Sequence, residues 1–118
     1  MGDNIQEELL ELVQEAAKTN KVEINGREYT IDKANFRDCT KLAAFIPRFS
    51  DGDGMEWLGS DEFHDVIKPI VMRLVRYKSM LLNKHAGLEE NPEFIADSLR
   101  LFIVAISTLS LPLVRGAE

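Results

Sequence analysis

Apolar residues recur at every third or fourth position in four segments of this chain, and they alternate with polar residues in one short segment. The first segment, positions 4–18, carries apolar side chains on one side of a helical wheel and glutamates on the other. This distribution predicts an amphipathic helix with an acidic ridge. The ridge is either a solvated helix face or a surface for a basic partner segment. Thr19 and Asn20 are expected to end the helix.

The alternating segment covers positions 21–31 and predicts a β-hairpin. Asn25-Gly26 supplies the two-residue turn, because a type I′ turn needs positive φ at both central positions. The turn sets three facing pairs, Val22 with Tyr29, Glu23 with Glu28, and Ile24 with Arg27. One face of the hairpin is apolar. Since an isolated hairpin is only marginally stable, it must dock on helices or on another copy.

A short helix is predicted between Asn35, which suits the N-cap position, and Pro47, which stops the helical run. Its buried face is predicted to hold Phe36, Cys39, Leu42, Ala43 and Ile46. Positions 48–59 then form an irregular loop. Phe49 and Trp57 are the aromatic residues of that loop, and Trp57 anchors either the loop itself or a partner.

Ser60 is expected to cap the next helix, and Pro69 either kinks it or, more simply, begins a second helix that runs to about Lys84, with Gly87 at its C′ position; we call this segment the helix 68–84. It carries five basic residues and no acidic one: Lys68, Arg73, Arg76, Lys78 and Lys84. A basic stripe on a helix can contact phosphates. It can also pair with the acidic ridge of the first helix or with another subunit. The net charge of −6 favours these protein contacts over nucleic acid.

The most apolar segment begins with Asn91-Pro92-Glu93, a strong start signal for a helix. Phe102 lies on one face of this helix, whereas Leu101 and Val104 lie on another side. A helix with two apolar sides is buried on both. It is therefore either the central helix of the domain or shared with a second subunit. Polar residues and Pro112 interrupt the apolar run below the length that a bilayer needs, so no membrane span is expected.

Length, charge and cysteine content narrow the class of protein. The 118 residues suffice for one domain, predicted over positions 1–118, with a core of its own. Cys39 is the single cysteine, which excludes an internal disulfide and fits a reducing cytoplasm. The acidic N-terminus lacks the features of a signal peptide. A cytoplasmic location is therefore expected.

The sequence contains no convincing catalytic or metal-binding pattern. His64 and His85 have no second ligand at a metal-binding spacing. Positions 51–54, Asp-Gly-Asp-Gly, begin like a calcium loop, but Met55 and Glu56 stand where that loop needs an oxygen ligand and a glycine. We expect no enzymatic activity, no metal and no cofactor.

The hairpin and the helix after it resemble a known family. The pattern V-x-I-x-G-x-x-Y-x-I over positions 22–31 precedes a helix that ends in Phe45-Ile46-Pro47. Over positions 21–49 the chain thus resembles phage tail assembly chaperones, which are small, acidic, largely helical proteins of long-tailed bacteriophages. The resemblance implies a non-catalytic role in the host cytoplasm. That role is to bind the tape-measure protein and to help recruit tail-tube subunits.

These patterns predict a mainly α protein with four to five helices and one β-hairpin: an acidic helix over 1–20, the hairpin over 21–31 and a helical body over 35–118. The expected function is that of a phage tail assembly chaperone. The alternative is a small regulatory protein that contacts nucleic acid through the helix 68–84. Contacts with a protein client or within a homo-oligomer are assigned to adaptable and apolar side chains, namely Trp57, Met72, Arg73, Arg76, Tyr77, Met80, Leu101 and Val104.

Overall fold

The computed structural model describes residues 2–50 and 55–117. Over those residues the protein is mainly α-helical, with a small antiparallel sheet. The first half contains helix α1 (Gly2–Thr19), strands β1 (Lys21–Ile24) and β2 (Arg27–Ile31), and helix α2 (Phe36–Phe45). The second half contains helix α3 (Lys68–Met72), strands β3 (Val75–Tyr77) and β4 (Met80–Leu81), and helix α4 (Pro92–Ala117).

The connections between these elements are largely helical turns. Two 3₁₀ turns flank the undescribed positions 51–54, at Ile46–Ser50 and Glu56–Gly59. They occupy most of the predicted irregular loop 48–59. A π-helical turn, Phe63–Ile67, runs directly into α3. Two further 3₁₀ turns, Leu82–Lys84 and Leu88–Glu90, lead into α4.

The predicted hairpin is confirmed in its turn and its register. Asn25 and Gly26 have φ angles of 52° and 81°, so both central residues are left-handed, as a type I′ turn requires. Val22 pairs with Tyr29, Glu23 with Glu28 and Ile24 with Arg27. The hairpin docks on helices through its apolar face, where Val22 and Tyr29 are buried.

Two predicted helix starts are also confirmed by their capping hydrogen bonds. The backbone N–H of Asp38 donates to Oδ1 of Asn35 at 2.8 Å, and the N–H of Glu93 donates to Oδ1 of Asn91 at 2.8 Å. Each bond satisfies a donor that has no partner within its own helix. Helix α2 ends at Phe45, just before the proline that was expected to stop it.

The prediction of a single hairpin is wrong, and so is the prediction of a basic helix over 68–84. Helix α3 ends at Met72, and the chain then forms a second hairpin in which β3 pairs with β2 and β4 pairs with β3. The strand order in this four-stranded sheet of the described residues is β1-β2-β3-β4. Val75 and Tyr77 alternate with Arg76 as strand residues do, and the free edge of β2 offers them backbone partners.

Helix α4 is the central helix of the fold. Helices α1 and α2 and the first hairpin all pack against it. Leu101 and Val104 are 0% exposed, so the second apolar side of α4 is covered within the chain itself. The predicted subunit contact through these two residues is therefore wrong. Over Pro92–Leu113 the helix is long and apolar enough to cross a membrane, against the sequence expectation. A core helix passes the same test, so this is weak evidence for a span.

Candidate functional site

Phe36 is the most exposed of the large apolar side chains that the structure describes, at 77%. It is the first residue of α2, directly after the capping residue Asn35. The prediction that it is buried with Leu42 is wrong. Phe36 precedes Leu42 by six positions, which places it roughly 120° around the helix from that buried residue. The ring consequently points out of the domain.

An apolar surface surrounds this exposed ring at the C-terminal end of α4. Leu113 and Pro112 are both exposed. A cleft of about 300 Å³ lies between the start of α2 and these residues, and its floor includes the buried Cys39. We call this region the Phe36 surface and define it by Ala34, Phe36, Pro112 and Leu113.

A second cleft of about 310 Å³ adjoins the Phe36 surface, because Ala34 and Pro112 line both. It runs between the end of α1, the end of β2 and α4, and its walls include Ala17, Ile31 and Leu109. Thr108 also lines it, and the Oγ1 atom of this residue is buried with no hydrogen-bond partner among the described residues. The two clefts and the exposed ring form a continuous, mostly apolar area, as sites for a partner helix do.

The charges beside this area are basic, although the chain as a whole is acidic. Lys33 lines the second cleft, Lys18 follows Ala17, and Arg37 follows Phe36; all three are exposed. None of the three forms an ion pair with a residue in the described parts of the chain. Asp32 also lines this cleft, but it pairs with Arg76 at 3.1 Å. The local excess of charge is therefore positive.

A second feature, buried rather than exposed, joins the first hairpin to α4. The carboxylate of Asp97 is 0% exposed. It accepts hydrogen bonds from Tyr29 Oη at 2.6 Å, from Arg27 Nε and Nη2 at 2.7 Å each, and from Asn25 Nδ2 at 2.7 Å. Four donors occupy its two oxygens. Asp97 therefore anchors the hairpin and offers little free lone-pair capacity for proton transfer.

The surroundings of Asp97 set two pKa values. Burial alone would raise the pKa of Asp97, but the hydrogen bonds from Arg27, Tyr29 and Asn25 outweigh it and hold that pKa below its usual value. For Tyr29 both effects act in the same direction. Burial, and next the hydrogen bond to the Asp97 carboxylate, raise the pKa of the Tyr29 hydroxyl well above its usual value.

Sequence reasoning missed Asp97, although two signals pointed to it. Arg27 faces Ile24 in the hairpin, next to the apolar face, where a guanidinium needs an acidic partner. Asp97 lies three positions after Phe94 and four before Leu101, on the apolar side of α4. The basic residue on the apolar face of the hairpin and the acidic residue on the apolar side of α4 could have been matched from sequence. That match predicts the contact between Arg27 and Asp97.

Four of the eight predicted protein-binding residues belong to the core. Leu101 and Val104 of α4 are fully buried, and Met72 is 7% exposed. Trp57 is 1% exposed, and its ring packs on Phe49 with 4.8 Å between ring centroids. The aromatic side chain thus anchors its own loop, and none of the four is available to a partner on the surface of this fold.

The other four predicted residues lie at or near the surface, but three of them are engaged within the chain. Arg73 pairs with Asp38 at 3.0 Å, and Arg76 pairs with Asp32, as noted above. Tyr77 is half-buried, with its ring 5.2 Å from that of Tyr29. Met80 is 47% exposed. The acidic ridge of α1 supplies none of these counter-charges. Its Glu8 pairs instead with Arg100, at 2.9 Å.

The described residues contain no group of three or more histidine, cysteine or acidic side chains placed to hold a metal ion. Asp51 and Asp53 of the calcium-like sequence lie outside the described residues. Cys39 is buried, and its Sγ donates to the carbonyl oxygen of Leu109 at 3.3 Å.

No family model, no curated protein and no solved structure matches this chain.

Proposed function

We propose that the protein is a non-catalytic protein-binding factor that contacts its client through the Phe36 surface. The exposure of Phe36 is the observation that carries this proposal. Phe36 is 77% exposed beside two apolar clefts, so a partner that covers its ring would gain the free energy of removing that apolar surface from water, and phenylalanine is enriched in interface cores. The mostly apolar cleft between α1, β2 and α4 suits an apolar helix face from another protein.

The client that we propose is the tape-measure protein of a long-tailed phage, with tail-tube subunits recruited afterwards. The resemblance of positions 21–49 to phage tail assembly chaperones supports this choice. The Phe36 surface adds to it, because a long helical client exposes repeated apolar faces that must be covered until the tail tube forms around it. The buried Asp97 anchor supports the role of the first hairpin as a rigid part of this scaffold.

The alternative function, contact with nucleic acid through a basic helix, loses its structural basis. Residues 68–84 do not form one helix. Three of the five cations are paired with carboxylates: Lys68 with Glu89 at 2.6 Å, and Arg73 and Arg76 as described above. Phosphate contacts would have to displace these acids.

Co-expression tests the proposal. The chain is produced together with a tape-measure protein of a long-tailed phage, and the soluble, co-purifying fraction of that client is measured. Phe36→Ser should reduce co-purification roughly tenfold or more, as expected for a central apolar anchor. The matched control is Ile95→Ser, because Ile95 is 55% exposed but lies near the opposite end of α4. Equal recovery of the client with the two variants would contradict the proposed surface. Absence of any complex with the unaltered chain would contradict the proposed client.

A further inference from the structure

A second exposed apolar side chain stands on the outer side of α1. Leu10 is 59% exposed, whereas Leu9, Val13 and Ala16 of the same helix pack against the core. The residues next to Leu10 on the helix surface are polar or acidic. We call this region the Leu10 face and define it by Glu7, Leu10, Glu11 and Gln14, all of which are exposed.

The Leu10 face and the Phe36 surface have opposite charges. Glu7 and Glu11 form no ion pair with a residue that the structure describes, whereas their neighbour Glu8 pairs with Arg100. Lys33 and Arg37, beside the Phe36 surface, are likewise unpaired there. One surface is thus an acidic helix with a central leucine, and the other is an apolar cleft with basic residues beside it. Each carries an apolar group that the other can cover and a charge opposite to that of the other.

Helix α1 cannot satisfy this complementarity within one molecule. It packs on α4 and β1, and the Glu8–Arg100 pair holds its middle against α4. Leu10 therefore points away from the domain. It lies seven positions before Ala17, which lines the cleft, so about 10 Å of helix separates the two sites. The complementary partner has to come from outside the molecule.

We propose that the Phe36 surface binds the Leu10 face of α1 from a second copy of this chain. The contact joins two different surfaces and is therefore heterologous. Every copy carries both surfaces. It buries one helix face in a shallow cleft, which is typical of a weak and reversible association rather than an obligate dimer. Because the charges at its edge are exposed, salt weakens it. The inference goes beyond the proposed function: a client and a second copy would cover the same surface and would exclude each other.

Two single variants, each of which removes one side of the contact, test this inference. Leu10→Glu removes the Leu10 face but leaves the Phe36 surface intact, and Phe36→Glu does the reverse. In sedimentation velocity at up to about 1 mM, the unaltered chain should associate and each variant alone should be monomeric. An equimolar mixture of the two variants should associate again, because one intact surface of each kind remains. Ile95→Glu should behave like the unaltered chain.

Three results would overturn the inference. They are a monomeric unaltered chain at about 1 mM, association of Leu10→Glu as strong as that of the unaltered chain, and a mixture of the two variants that stays monomeric. Circular dichroism and urea melts establish that each variant is folded. Should Phe36→Glu fail to fold, Phe36→Ser replaces it. The outcome is separable from that of the proposed function, since Leu10→Glu should still bind the client, whereas Phe36→Glu should not.

Discussion

Arg27 donates two parallel hydrogen bonds to Asp97, from Nε to one carboxylate oxygen and from Nη2 to the other, each 2.7 Å long. The same guanidinium reaches Glu93 through Nη1 at 2.8 Å. Asp97 is fully buried, whereas the Arg27 side chain is 21% exposed. The fork fixes the first hairpin on α4 in both position and orientation, since a bidentate pair tolerates little rotation.

Asp97→Leu should lower the free energy of unfolding by roughly 3–5 kcal/mol. The substitution leaves the buried Tyr29 hydroxyl without its acceptor, and it removes the two hydrogen bonds of Arg27 to Asp97 while those to Glu93 remain. Arg27→Met should also destabilise the protein, because a buried carboxylate then loses its counter-charge. The double variant Arg27→Met/Asp97→Leu removes both charges. Its loss of free energy of unfolding should therefore be smaller than the sum of the losses in the two single variants. Urea denaturation of the four proteins gives the comparison. Additive effects would mean that the two residues do not act as a pair.

Acid should destabilise the protein through Asp97. The pKa of this carboxyl is lower in the folded protein than in the unfolded chain, so the folded state binds its proton less readily. Its contribution is therefore complete above the unfolded pKa, near 4, and is lost as the pH falls through the folded pKa. The free energy of unfolding, measured between about pH 6 and pH 2, should fall more steeply for the unaltered chain than for Arg27→Met/Asp97→Leu. Parallel curves would show that Asp97 does not carry this pH dependence.

Alkali should act through Tyr29 in the opposite sense. The pKa of the hydroxyl is raised by burial and by the neighbouring carboxylate, so the folded protein resists its ionisation. The stabilisation is complete below the usual pKa, near 10, and is lost as the pH rises above it. Tyr29→Phe has no such group, and its stability should change less between about pH 9 and pH 11. The absorbance of tyrosinate, recorded alongside the unfolding signal as the pH rises, detects the ionisation. Ionisation of Tyr29 at the usual pKa while the protein is still folded would refute this account.

The parts of the fold that could be predicted from sequence have local signals. Asn25-Gly26 specifies its turn by itself, and the turn sets the register of β1 and β2. Asn35 and Asn91 cap their helices with their own side chains. In each case the physical cause lies within a few positions of the element, so a single sequence contains it.

The parts that escaped prediction depend on distant residues. Strand β3 exists because the edge of β2 offers it hydrogen bonds, and no local feature of Val75–Tyr77 announces that edge. The site was missed for a similar reason. Phe36 fits the apolar period of α2 loosely, and its place beside Pro112 and Leu113 of α4 depends on how two distant segments pack. Predicted anchors such as Trp57 are core because the fold closes over them.

The turn between β3 and β4 gives the last prediction. Lys78 and Ser79 have φ angles of 53° and 67°, a left-handed conformation that costs a residue with a side chain about 1–2 kcal/mol. This turn has the same backbone form as Asn25-Gly26 but lacks its favourable residues, which explains why the sequence did not reveal it. Ser79→Gly should relieve the strain. Glycine also loses more conformational entropy on folding than serine does, which offsets part of this relief. The net gain in the free energy of unfolding should be about 0.5–1 kcal/mol.

Gly26→Ala is the matched control in the other turn, and it should have the opposite sign. A Cβ at Gly26 would meet no atom within 4 Å, so the substitution tests backbone conformation and not packing. Since φ at this position is 81°, we expect a loss of about 1 kcal/mol or more. Urea melts of the two variants beside the unaltered chain give both values. The account is wrong if both variants are destabilised. In that case side-chain contacts of Ser79 hold the β3–β4 turn, and backbone strain does not limit its stability.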